Sequence, residues 1–173
     1  MKTIKGDLIK LAEQGEFDMI VQGCNCFHTM GSGLAGQLVS KYPRVLEADK
    51  KQSKYGDKEK LGDWSVAVIP GKFIVINAYT QYFFGMGQDV FEYGAFEKFL
   101  TDFQDMIEHL DESNNFDWLS GHRIREFKRT LIGFPMIGAG LAGGDWGRIS
   151  KMIEEFSERV KDFAEVTVVE YQP

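Results

Sequence analysis

Two glycine-rich stretches of this 173-residue chain hold the residues whose types and spacing suit chemistry. The first runs Cys24-Asn25-Cys26-Phe27-His28-Thr29-Met30-Gly31-Ser32-Gly33-Leu34-Ala35-Gly36; the second runs Gly138-Ala139-Gly140-Leu141-Ala142-Gly143-Gly144-Asp145-Trp146. Each follows a strand-like segment and opens a helix-like one, where free backbone N–H groups and the helix dipole attract an anion. One such loop is weak evidence, because Gly-x-Gly at a helix start often meets a purely steric need. Two loops opening helices at one sheet edge suit two linked phosphates, or one phosphate and a sugar. No Lys or Arg occurs between Gln22 and Ser40, or between Leu131 and Gly147. An anion held there would rest mainly on neutral main-chain amides, which fits a soluble nucleotide better than a nucleic-acid track.

Several other chemistries are excluded. Neither loop carries the Gly-Lys-Ser/Thr of a Walker loop. Gly31 to Gly36 reads G-x-G-x-x-G, but no ribose-binding acid stands on a second strand about 20 residues later. No Arg follows either cysteine at the spacing of a Cys-x5-Arg phosphatase. Cys-x-Cys with scattered His28, His109 and His122 has no zinc-finger spacing, so no metal is implied.

The elements that must carry these loops are legible as patterns. Lys2 to Lys5, Phe17 to Gly23, Ser65 to Ile69, Phe73 to Tyr79, Thr130 to Ile137 and Val166 to Tyr171 read as strands, with Pro70-Gly71 as a hairpin turn. Asp89 with Glu92 resembles a capping box. Behind it Val90, Tyr93, Phe96, Leu100, Phe103, Ile107 and Leu110 recur at helical spacing, a stripe that belongs to the core. Ile149, Met152, Ile153, Phe156, Val160 and Phe163 repeat the pattern, and a further helix spans Leu34 to Tyr42 before Pro43. Residues 111–129 are polar and mixed, a surface insertion with a short helix. Strands alternating with helices imply an α/β sandwich with a mostly parallel or mixed sheet, whose ligands bind outside the carboxyl ends of the strands.

Composition bounds the class. Hydrophobic residues are 43% and charged residues 27%, which is globular, and the net charge is −6. A chain of this size forms one domain, 1–173, with a core that needs neither disulfide nor metal. A pI near 5.1 argues against a phosphate-backbone binder. No apolar run approaches the ~18–20 residues of a membrane span, and no leader-like apolar segment opens the chain. Cys24 and Cys26 are too close to staple a fold and read as reduced thiols of an intracellular, cytoplasmic protein. Alternation places both thiols on one side and Asn25 on the other, toward a ligand, although Asn25 also suits an Asx turn.

Taken together, these motifs resemble the macrodomain family, a three-layer α/β/α fold that binds ADP-ribose, over nearly the whole chain. Gly6-Asp7-Leu8 resembles the family's Gly-Asp-Ile element, which implies that Asp7, beside Leu8, accepts the adenine amino group. Val21-Gln22-Gly23-Cys24-Asn25 stands for Val-Asn-Ala-Ala-Asn, with Asn25 kept where the family's Asn faces the distal ribose. Gly31, Ser32, Gly33, Leu34 and Ala35 resemble the Gly-Gly-Gly-Val-Ala loop around the diphosphate. Gly138, Ala139, Gly140 and Leu141 resemble the second diphosphate loop.

Asn77-Ala78-Tyr79-Thr80-Gln81, Gly143-Gly144-Asp145-Trp146 and the loop histidine are most similar to the ADP-ribose 1″-phosphate phosphatase branch. The resemblance implies hydrolysis of ADP-ribose 1″-phosphate to ADP-ribose and phosphate, with His28 and Asp145 converging on the distal phosphate and no cofactor. His28 has the proton affinity for the task near neutrality, while Asp145 equally suits a helix cap. Gln22-Gly23-Cys24 departs from the commonest macrodomains that remove ADP-ribose from proteins. Removal of ADP-ribose from modified macromolecules and non-catalytic reading of ADP-ribose are the alternatives. The partner implied is thus a small nucleotide, not a nucleic acid or a membrane, with the oligomeric state open. Tyr82-Phe83-Phe84 suits either a wall for the distal ribose or core filling, and Tyr171 is placed to stack on adenine.

Overall fold

The computed structural model describes residues 1–85, 90–110 and 129–173. In chain order the elements are β1 (Lys2–Gly6), α1 (Leu8–Glu13), β2 (Met19–Cys24), α2 (Gly33–Lys41) and α3 (Arg44–Gln52). There follow β3 (Trp64–Ile69), β4 (Phe73–Tyr79), α4 (Tyr93–Glu108), β5 (Thr130–Pro135), α5 (Trp146–Arg159) and β6 (Ala164–Tyr171). Six strands form one mixed sheet in the order β1-β6-β5-β2-β4-β3. Every neighbouring pair is parallel except β3–β4, the hairpin turned at Pro70-Gly71.

Strand alternation produces the three layers. In β4, Ile74, Ile76 and Ala78 point into one core, and Phe73, Val75 and Tyr79 into the other. The first core lies under α4 and α5, where Phe96, Phe99, Phe103, Phe134 and Phe156 are fully buried. The second lies under α1, α2 and α3 and includes Leu8, Ile20, Leu38, Val45 and both cysteines. Two buried faces explain why the central strands read as continuous apolar runs. Among the described residues, no helix is long and apolar enough to cross a membrane.

The α/β sandwich expected from the sequence is the architecture found, with differences at element boundaries. Two helices have no counterpart in the periodicity reading. Six-residue α1 is too short to show a repeat, and Asp7 caps it by accepting from the Ile9 and Lys10 amides at 3.0 and 3.1 Å. Pro43 ends α2 and also begins α3, since its fixed φ suits a first turn and its missing N–H would be unpaired there anyway. The helix expected from Asp89 starts instead at Tyr93, with Glu92 at the cap position and no side-chain capping bond. Val90 and Phe91 lie in an extended approach, with Phe91 bridged to Gln81. Asp89 itself, and residues 111–128 of the expected insertion, lie outside the described residues. Strand β5 is also shorter than expected, ending at Pro135, so Met136 and Ile137 belong to the second loop.

Phe156 joins α5 to both partners of its core, stacked on Phe103 at 5.9 Å and edge-on to Phe134 at 6.1 Å. Phe156→Ala is expected to cost about 3–5 kcal/mol, because the removed ring leaves a cavity as well as lost transfer energy. Denaturant unfolding measures this as a lower midpoint with little change in slope.

Candidate functional site

The first loop leaves β2 at the carboxyl edge and is tied down within two residues. Thr80 N–H donates to Cys24 C=O at 3.1 Å, Cys26 N–H to Tyr82 C=O at 3.0 Å, and Gly56 N–H to Cys26 C=O at 2.7 Å. Asn25 is buried and its amide is spent inside the loop. Its Oδ1 accepts from Phe27 N–H at 2.8 Å, an Asx turn, and its Nδ2 donates to Thr29 O and Oγ1. His28 follows with φ of +52°, the one non-glycine among the described residues in left-handed backbone. Both thiols bury in the second core, and burial pushes the Cys26 thiol up to about 11, so neither is a thiolate near neutrality.

Gly31 and Gly33 then face open space, with no atom within 4 Å of the position a Cβ would take. Gly33 has φ of +56°, which favours glycine as the chain enters α2. Ser32 stands at the cap position of that helix, yet its hydroxyl makes no capping bond. Leu34 and Ala35 pack their side chains toward the second core.

The second loop is folded on itself. Gly144 N–H donates to Gly138 C=O at 2.8 Å, and Gly143 N–H to Gly140 C=O at 3.1 Å. Gly138 has φ of +74°, and a Cβ there would lie 2.3 Å from the Phe91 ring. Gly140 and Leu141 face outward, Leu141 at 58% exposure. Ala142 C=O accepts from Val90 and Phe91 N–H, so the approach to α4 is laced to this loop. Asp145 is exposed and caps α5, its Oδ1 accepting from Arg148 N–H at 2.9 Å, while its own N–H donates to the Tyr93 hydroxyl at 2.8 Å.

The sheet brings the two loops side by side. β2 and β5 are adjacent parallel strands, with Met19 opposite Ile132 and Ile20 opposite Gly133. At their ends, a Cβ on Gly23 would meet the Ile137 side chain at 3.2 Å and Thr80 Oγ1 at 2.8 Å. β1 ends at the same edge, and Tyr171 is paired in register with Gly6, next to Asp7, at 62% exposure.

Two clefts flank this edge. One, of about 600 Å³, is lined by Asp7, Gly31, Ser32 and Gly33 together with Lys10 and Lys41. The other, about 470 Å³, is lined by Tyr82, Phe83 and the Val90–Glu92 segment. Leu8 is buried in the core, so only its main chain can face the first cleft. Lys10 and Lys41 carry no signal in the sequence because neither belongs to a glycine loop; the fold delivers them from α1 and the end of α2. Lys41 is paired with Glu13, and Lys10 Nζ lies 3.8 Å from Asp7 Oδ2. Tyr82 packs on Phe27 and donates to Gly56 C=O, whereas Phe83 and Phe84 stack at 4.6 Å with about half their surface exposed.

A polar cluster behind His28 is invisible in the sequence. His28 Nε2 lies 3.1 Å from Ser53 Oγ and 3.7 Å from Asp49 Oδ1. Asp49 is 1% exposed and accepts from the Tyr79 hydroxyl at 2.7 Å, and Lys60 Nζ donates to Ser53 at 3.0 Å. Burial holds the His28 imidazole below its ordinary value, against the pull of Asp49, so it is neutral at pH 7. Nothing in the polar stretch from Arg44 to Lys60 marks Asp49, Ser53 or Lys60 beforehand.

No protein-family model matches the chain. It is 35% identical over 176 residues to an uncharacterized 17.5 kDa protein of the tk-vs intergenic region of Enterobacteria phage T4, covering 100% of this chain and 97% of that one. It is 27% identical over 175 residues to the ADP-ribose 1″-phosphate phosphatase of Saccharomyces cerevisiae, covering 89% and 91%. Its fold superposes on the macrodomain of Thermus aquaticus DarG with a TM-score of 0.66 at 19% identity, over 99% of this chain and 97% of that one. The chain has the macrodomain fold. In this fold the two glycine turns and the α1 cap occupy one edge of the sheet.

Two measurements probe this geometry. Gly138→Ala forces a side chain into Phe91 and into left-handed backbone, and is expected to lower the thermal midpoint by several degrees. Falling pH tests His28. From about pH 6.5 downward the unfolded chain takes up a proton that folded His28 resists, so the protein loses stability as pH drops through that window. His28→Asn is expected to flatten this slope relative to wild type in urea unfolding between about pH 7 and 5.

Proposed function

We propose that this macrodomain binds ADP-ribose along the carboxyl edge and hydrolyses its 1″-phosphomonoester to ADP-ribose and inorganic phosphate. The observation that carries the reading is the meeting of the two glycine turns at one edge of the sheet, with His28, a largely buried imidazole, in the first of them. The yeast relative that bears this activity in its name supports the choice of substrate. Asp7 and the first cleft receive the adenine end, and Gly31 to Ala35 and Gly138 to Leu141 hold the diphosphate through backbone amides. His28 accepts a proton from the attacking water as its oxygen bonds to phosphorus. The bond from phosphorus to the C1″ oxygen breaks, that oxygen takes a proton from solvent, and His28 returns its own proton to solvent. Asp145 orients the water from the second loop. Two free, buried thiols suit a reducing, intracellular setting.

A second reading, a non-catalytic reader of ADP-ribose, is favoured by one observation: Asp145 Oδ1 is engaged in capping α5. Wild-type protein is expected to release phosphate from ADP-ribose 1″-phosphate, with His28→Ala slower by roughly 10²–10⁴-fold. Asp145→Ala should be slower too, with ADP-ribose affinity by calorimetry little changed in both. Asp7→Ala and Gly33→Glu should weaken binding itself. Binding without phosphate release by wild type makes the protein a reader. Faster cleavage of an ADP-ribosylated protein than of the phosphomonoester makes it an adduct hydrolase.

A further inference from the structure

We propose that Ser53 and Asp49 are positioning residues that hold His28 in the Nε2–H tautomer, leaving Nδ1 as the basic nitrogen of the ring. Any effect of this on phosphate release rests on the proposed role of His28; the tautomer itself does not.

The inference follows from a count of hydrogens around one hydroxyl. Ser53 Oγ lies 2.8 Å from Asp49 O, 3.0 Å from Asp49 Oδ1, 3.0 Å from Lys60 Nζ and 3.1 Å from His28 Nε2. A serine hydroxyl has one hydrogen to donate and two lone pairs. Both Asp49 oxygens are acceptors, so they take the hydrogen between them. Lys60 Nζ has only hydrogens to offer, so it occupies one lone pair. What remains for Nε2 is a lone pair, and a bare nitrogen there would face it with another. Nε2 therefore carries the hydrogen, and Nδ1 keeps the basic pair.

Asp49 reinforces the assignment. Its Oδ1 lies 3.7 Å from Nε2 and is fixed by the Tyr79 hydroxyl at 2.7 Å. Placed one helical turn before Ser53, it presents negative charge to the N–H side of the ring. Tyr55 packs edge-on against the imidazole, and Lys50 and Lys60 are the cations whose charge reaches it. The carboxylate is also costly to keep, because it is buried and Oδ2 has no hydrogen-bond partner. A well-packed apolar residue would serve stability as well. A half-satisfied buried charge aimed at a loop histidine is better explained by what it does to that histidine.

The test reads the ring directly. Long-range ¹⁵N–¹H correlation on uniformly ¹⁵N-labelled protein near neutral pH is assigned to His28 by the signals lost in His28→Ala. Wild type is expected to show a protonated Nε2 and a bare Nδ1. Ser53→Ala should collapse this toward a mixture of tautomers and lower kcat for phosphate release by at least about tenfold, with KM moving far less. Ser53→Thr, which keeps the hydroxyl, should restore both. Asp49→Asn, which keeps the size of the side chain, should move the nitrogen shifts in the same direction as Ser53→Ala. A hydrogen on Nδ1 in wild type, or a spectrum unmoved in Ser53→Ala, overturns the proposal. Absence of phosphate release by wild type overturns the functional reading instead, and the spectrum alone then decides the positioning.

Discussion

The parallel pairing of β2 with β5 is the constraint on which the rest of the site depends. Only because these strands are neighbours and run the same way do Asn25 to Gly33 and Ile137 to Asp145 emerge at one edge. The seam at that edge is tight: Gly23 is wedged beside Thr80 and Ile137, with no room for a side chain unless a neighbour gives way. Beyond the seam Gly31, Gly33 and Gly140 open into space. Close packing and open backbone alternate over a few residues, and glycine allows both.

Charge is distributed around the edge in an uneven way. The glycine turns carry no cation of their own, as their sequence shows, but Lys10 and Lys41 arrive at the first cleft from flanking helices. Behind the first loop, burial has the opposite effect. His28 is pressed toward its neutral form by desolvation, and the thiols of Cys24 and Cys26 are pressed toward theirs. The loop thus offers one group able to exchange a proton near neutrality, with two nucleophiles silenced beside it.

The network behind the loop shows how a strained position is held. His28 occupies left-handed backbone that a side chain adopts only when its surroundings insist. Cys26 accepts from Gly56 N–H and donates to Tyr82 C=O, which fixes the chain on one side, and Asn25 folds the next residues through its own amide. Ser53 then fixes the ring. Backbone and side chain are set by separate partners, so rotation of one does not free the other.

Much of this is legible in the sequence. Apolar alternation in Phe73 to Tyr79, the helical stripe from Phe96 to Ile107 and the glycine loops at strand ends specify an α/β sandwich and two candidate turns, because local periodicity and turn chemistry depend on near neighbours in sequence. Short α1, the restart of helix at Pro43 and the later start of α4 were not legible, since six residues show no period and a proline both stops and starts helices. Strand order, the meeting of the two turns and the cluster of Asp49, Ser53, Tyr79 and Lys60 behind His28 were decided by tertiary structure alone. His28 and Ser53 are 25 positions apart, Asp49 and Tyr79 are 30 apart, and Met19 pairs with Ile132 across 113, and no local propensity encodes which distant partner a buried polar group will find.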